Sequence, residues 1–198
     1  MQTISYDRGT LTILGQLKSS APHRIFLEDS YCLTFDYGSF HVVARPVPIT
    51  ARTQNDSNEA IIVQFERIES AFQSTDGDNI LYEGKSIDRL WILRTFLYFT
   101  DYVPLSPKVR PFRLETSPFI ADTCTGIHYE IACHPLCSEA QGIDKRFANL
   151  VDTGIALKID GEYLLCFAQN NSFTVVGRVM SEERLREEVA PCYEFIDV

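Results

Sequence analysis

The chain has 198 residues, 45% of them hydrophobic and 23% charged, and its 27 acidic side chains against 18 basic ones leave a formal net charge of −9. A chain of this length and balance can bury a core without disulfides or metals, which excludes wholesale disorder. The negative field disfavours sequence-independent binding to nucleic acid or to an anionic membrane, and no apolar run approaches the roughly 20 residues that span a bilayer.

The opening residues, Met1 to Arg8, carry neither a basic region nor an apolar run, unlike a secretory leader, so the expected compartment is the cytoplasm. The six cysteines (Cys32, Cys124, Cys133, Cys137, Cys166 and Cys192) are then expected as thiols, several of them core hydrophobes on strands.

In chain order, Ile4 to Tyr6 and Leu11 to Ile13 bracket Asp7-Arg8-Gly9 and read as a first hairpin. Tyr31 to Tyr37 alternates, and Gly38-Ser39 suits a tight turn before Phe40 to Ala44. That register puts Leu33, Phe35, Tyr37, Phe40 and Val42 on one face and Asp36 opposite His41 on the other. A polar loop is expected from Thr50 to Asn58, a strand from Ile61 to Ile68, and a turn-rich loop from Gln73 to Asn79. Ile80 to Tyr102 is ambiguous: Ser86 could cap a helix over 86–99, yet Trp91, Ile92, Phe96 and Phe99 are also strand formers and the segment is apolar on nearly every side, so a buried central helix is the favoured reading and a strand the alternative. Pro104, Pro107, Pro111 and Pro118 make residues 104–118 an extended crossing segment, the one candidate boundary. Each side of it is strand-rich and short, so the expectation is one domain over 1–198, two-lobed about the crossing at most.

Beyond it, Gly126 to Cys133 alternates as a strand, and Ile143, Phe147 and Leu150 sit at helical spacing. Gly154–Ile159 and Glu162–Ala168 flank Asp160-Gly161, the strongest hairpin signal in the chain. Its two-residue turn pairs Ile159 with Glu162, Leu157 with Leu164 and Ile155 with Cys166, and the opposite face is also apolar, so cover is expected on both sides. A helix, a second sheet or a twin subunit would supply it. Phe173 to Val179 reads as a further strand. Ser181, acids in the first turn, Glu182 four residues before Arg186, and Pro191 as a stop predict a short C-terminal helix. The fold class is α+β: a β-dominated, mainly antiparallel domain with a buried central helix and a short C-terminal one.

Chemistry is sparser. Cys124, His128, His134 and Cys137, with Cys133 beside them, are the soft ligand types that zinc takes, and they converge only if Pro135 turns the chain back. The bland alternative is core packing for Cys133 and a wetter face for His128, Glu130 and His134. Glu83-x-Lys85 could pair with Asp76 or Asp78 around a divalent cation, though both aspartates fall in a turn-like loop. Asp36 and His41 resemble half of an acid–base pair, but no nucleophile can be placed beside them and a cross-strand surface pair is the favoured reading. Lys108, Arg110 and Arg113 form a small basic strip.

With no convergent catalytic constellation, the expected function is a non-enzymatic protein-interaction or regulatory module. Its partner would be another protein or its own twin subunit, with no nucleic acid, membrane or cofactor. The alternatives are a zinc-centred enzyme or zinc-stabilised domain at the Cys/His cluster, and a β domain binding a small ligand in a pocket lined by Tyr, Phe and Trp91.

Overall fold

A computed structural model describes residues 2–28, 32–52, 57–72, 79–100, 121–123, 126–136, 148–169 and 174–198. The described residues build two mainly antiparallel sheets packed face to face. The smaller sheet holds β2 (Arg24–Glu28), β3 (Cys32–Asp36), β4 (His41–Arg52), β5 (Ser57–Ile68) and β6 (Asn79–Glu83), in the order β5-β4-β3-β2-β6. The larger holds β7 (Arg89–Thr100), β8 (Ala121–Thr123), β9 (Gly126–Cys133), β10 (Ala148–Ile159), β11 (Glu162–Gln169) and β12 (Thr174–Met180), in the order β12-β11-β10-β7-β9-β8. A short β1 (Gln2–Ile4) lies parallel along the first half of β10, and β13 (Glu194–Asp197) lies antiparallel along the first half of β7.

Between the sheets sits the main core. Ile25, Leu33, Phe35, Val42, Val63 and Phe65 meet Leu90, Ile92, Ile155, Leu157, Ile159, Leu164 and Cys166, so residues on both sides of the 104–118 segment share one core. The segment itself lies outside the described residues.

The expected N-terminal hairpin is a helix instead, α1 (Arg8–Ser19). Asp7 is its N-cap, accepting the Thr10 N–H at 2.7 Å, and Leu14 and Leu17 reach the core from one helical face. The cap and this spacing outweigh the short alternation at Leu11 to Ile13, while Ile4 ends a short strand that pairs with β10 and not with Leu11 to Ile13.

The expected buried central helix is also overturned: Arg89–Thr100 is strand β7, and Ser86 lies in the loop before it. This strand pairs with β10 along one edge and with β13 and then β9 along the other. Leu90 and Ile92 face the smaller sheet, while Trp91 and Leu93 face away. A central strand buried on both faces reads as a continuous apolar run, which periodicity alone cannot separate from a buried helix.

The hairpins follow the sequence. Asp36 lies opposite His41. Asp160-Gly161 joins β10 to β11 with Ile159 opposite Glu162, Leu157 opposite Leu164 and Ile155 opposite Cys166. The turn residues have φ of 52° and 83°, the two positive values that a type I′ turn requires. Cover for both faces comes from the chain itself: the smaller sheet on one side and, on the other, a cluster of Leu185, Val189, Cys192 and Tyr193 from the C-terminal segment. The hairpin therefore gives no ground for a twin subunit. The C-terminal helix is present as α2 (Glu182–Arg184), capped by Ser181, and runs into a wider π-turn at Leu185–Val189.

Three other expectations need correction. The 50–58 loop shrinks, because β4 runs to Arg52 and β5 starts at Ser57. Pro46 and Pro48 sit within β4 opposite Val63 and Ile61. The β4–β5 ladder runs through both, which a proline permits where its nitrogen faces away from the paired strand. Leu150, expected at helical spacing with Ile143 and Phe147, belongs to β10, and the other two lie outside the described residues.

Candidate functional site

Cys124 and Cys137 lie outside the described residues, and for His128 and Cys133 only the strand position on β9 is described. His134 follows that strand: its backbone N–H donates to the Pro191 carbonyl at 3.2 Å, and its Nδ1 accepts the Leu136 N–H at 3.1 Å. Only Nε2 remains for a metal. Among the described residues no group of three or more His, Cys, Asp or Glu is placed to hold one. Cys32 and Cys166 are free thiols, and burial pushes the Cys166 thiol well up.

Asp36 and His41 share a cross-strand position but serve different partners. Asp36 is buried and accepts from Arg24 Nη2 at 2.7 Å and from the Gly38 N–H at 2.8 Å. Burial alone would raise its carboxyl, yet the Arg24 and Gly38 hydrogen bonds and the charges of Arg24 and His23 hold it below the usual carboxylate range. His41 Nδ1 lies 2.8 Å from the Ser70 carbonyl, with the Phe72 ring edge-on at 5.4 Å. Both carboxylate oxygens of Asp36 are thus taken by internal donors, and His41 is bound to the Ser70 carbonyl rather than to Asp36. Lys85 is likewise committed, to Asp160 at 2.5 Å, and Asp76, Asp78 and the Lys108, Arg110 and Arg113 strip lie outside the described residues.

A buried ion pair escaped the sequence reading. In β10, Asp152 and Gly154 pair with consecutive residues of β7, Arg94 and Leu93, so Thr153 is the extra residue of a bulge. The bulge reverses the in–out alternation. Asp152 is thereby aimed between the sheets, while Ala156 and Lys158, of the same parity, point outward. The Asp152 carboxylate is 2% exposed and accepts from Arg94 Nε at 2.7 Å, Arg94 Nη2 at 3.3 Å and the Tyr6 N–H at 3.0 Å. Glycine is required after the bulge, since a Cβ on Gly154 would lie 2.1 Å from the Cys166 carbonyl oxygen. All three donors are internal, so this cluster ties β1, β7 and β10 together and offers nothing to a ligand.

The outer face of the larger sheet is different. At the edge of the cover that Leu185, Val189, Cys192 and Tyr193 supply, half-buried Trp91 of β7 and Phe195 of β13 pack with the buried Tyr163 of β11 as an aromatic patch. The Trp91 and Tyr163 rings stack at 6.1 Å and 25°, and Phe195 meets Trp91 edge-on at 6.1 Å. Trp91 and Tyr163 stand two strands apart; Ala156 on the strand between them is small enough to let the rings meet over it.

Directly beside them, Arg89 and Lys158 occupy opposed positions on β7 and β10. Like charges so placed repel. Each is held over a ring, Arg89 at 4.8 Å from Trp91 and Lys158 at 5.5 Å from Tyr163. Arg89 also reaches Asp197 at 3.1 Å, but both side chains are more than half exposed, 57% and 62%, and such pairs contribute only about 0–1 kcal/mol. Lys158 has no carboxylate partner among the described residues. Trp91 thus sits half-buried on the outer face of the sheet, beside this cation pair.

Comparison with known proteins adds no assignment: no protein-family model, no curated protein and no solved structure matches the chain. Among the described residues no helix is long and apolar enough to cross a membrane.

Proposed function

We propose that this chain is a non-enzymatic protein-interaction module and that the Trp91 patch is the surface through which it docks. The observation that carries this reading is the opposed Arg89–Lys158 pair flanking the Trp91–Tyr163 stack. Like charges directly opposed, with only an exposed ion pair and two ring contacts to offset them, break a local rule in the way expected at a site kept for function. Trp, Tyr and Arg are also the residue types that dominate binding energy at interfaces. The buried charges reinforce the reading, because Asp36, Asp152 and Arg94 are consumed by internal partners.

The test is quantitative affinity capture from the native cell with the wild-type chain and with Trp91→Leu, matched for fold by circular dichroism. A partner should be recovered at least roughly 10-fold more with the wild type, the loss expected for truncating a hot-spot aromatic. Equal recovery of every captured protein would remove the patch as the docking surface.

A further inference from the structure

Resting on that reading of the Trp91 patch, we infer that the partner engages it with an acidic segment, one carboxylate bridging Arg89 and Lys158 and an adjoining apolar side chain resting against Trp91 and Phe195.

Charge complementarity carries the inference. On a chain of net charge −9, two cations held side by side on the rigid central strands are the local exception. Repulsion between them weakens when an anion sits beside both, so a bridging carboxylate would relieve what the exposed Arg89–Asp197 pair and the two ring contacts leave uncompensated. Asp197 shows the geometry on a small scale, with Arg89 Nη2 at 3.1 and 3.3 Å from its two carboxylate oxygens. Its position opposite Trp91 on β13 leaves Lys158 to the Tyr163 ring.

The half-buried Trp91 and Phe195 edges supply the apolar part of the contact. They stand on strands whose registers are fixed by pairing on both sides of β7, so little ordering cost falls on the protein. Aromatic rings beside Arg and Lys can also serve as a platform for single-stranded nucleic acid. A polyanion would meet the repulsion of the whole chain, whereas one or two carboxylates feel mainly the local cations.

The experiment is selection from a library of random dodecapeptides displayed on phage, against the full chain, with counter-selection on Arg89→Gln/Lys158→Gln. Enriched peptides are then measured by fluorescence anisotropy against the wild type, Lys158→Gln and Trp91→Leu, with an oligo-thymidylate run in parallel. Expected are peptides with Asp or Glu next to Phe, Leu or Trp, whose dissociation constants rise at least roughly 10-fold in each variant, as for loss of a charge contact or an anchor. Raising the salt should weaken them as well. Enriched peptides that depend on Trp91 but lack acidic residues would overturn the acidic partner and leave the docking surface standing. Peptides indifferent to Trp91, or no enrichment over the counter-selected variant, would overturn both. Trp91-dependent binding of the oligo-thymidylate in place of peptides would overturn the inference in favour of nucleic acid.

Discussion

Replacing Arg94 by methionine should damage this protein more than a half-exposed arginine would suggest. The substitution keeps the apolar stem and removes the guanidinium, so the Asp152 carboxylate loses two of its three N–H donors while 2% exposed. The Tyr6 N–H at 3.0 Å is all that remains. Hydrogen bonds to a charged group contribute about 1.5–3 kcal/mol each, and stranding one member of a buried pair costs about 3–5 kcal/mol. Arg94 keeps some contact with water, with its side chain 24% exposed, so about 3 kcal/mol is expected, a loss of roughly 6–12 °C in melting temperature for a chain of this size.

The assay is urea unfolding followed by Trp91 fluorescence and far-ultraviolet circular dichroism, where the midpoint should fall and the slope stay unchanged. Adding Asp152→Asn should recover about 1–2 kcal/mol, because the amide oxygen still accepts the Tyr6 N–H without a buried charge. A single-variant loss below about 1 kcal/mol, or a double variant no better than the single, would refute the claim that a stranded charge drives the effect.

Gly154→Ala should cost about 3 kcal/mol or more, since the added carbon meets backbone at Cys166 and Phe167 and no flexible side chain can yield; a urea midpoint near that of the wild type would count against the bulge geometry. Asn149→Leu should raise stability by about 1 kcal/mol, because its amide is fully buried with neither atom hydrogen-bonded among the described residues; the same titration reads it, and a clear loss would mean the amide has a partner. Tyr6→Phe should be neutral or mildly stabilising, as its buried hydroxyl lacks a partner among the described residues while its ring keeps the edge contact with Phe65 at 5.9 Å. Asp36 has a folded-state carboxyl held below the ordinary value, so its contribution is complete at neutral pH and is lost as pH falls below about 4. The stability gap between the wild type and Asp36→Asn should therefore be widest near pH 7 and shrink on acidification; a gap that widens would contradict the sign.

Local chemistry determined the parts of this protein that the sequence makes legible. Asp160-Gly161 names its own turn and so fixes the β10–β11 register, and Ser181 with Glu182 and Arg186 marks the start of α2, because a turn residue with positive φ or a capping side chain acts on neighbours a few positions away. The alternation through Leu33, Phe35 and Val42 likewise found its face of the core. What depends on distant partners was decided by tertiary structure. Residues 89–100 are apolar on all sides whether helix or strand, and only pairing with β10, β13 and β9 makes them a strand. The Thr153 bulge flips the parity of β10, so strict alternation would put Asp152 on the same side as Lys158, when it faces Arg94 between the sheets. The Trp91 patch is assembled from β7, β10, β11 and β13, far apart in the chain and adjacent only because hydrogen-bond ladders lay them side by side. Composition told of aromatics and cations but carried no trace of that adjacency.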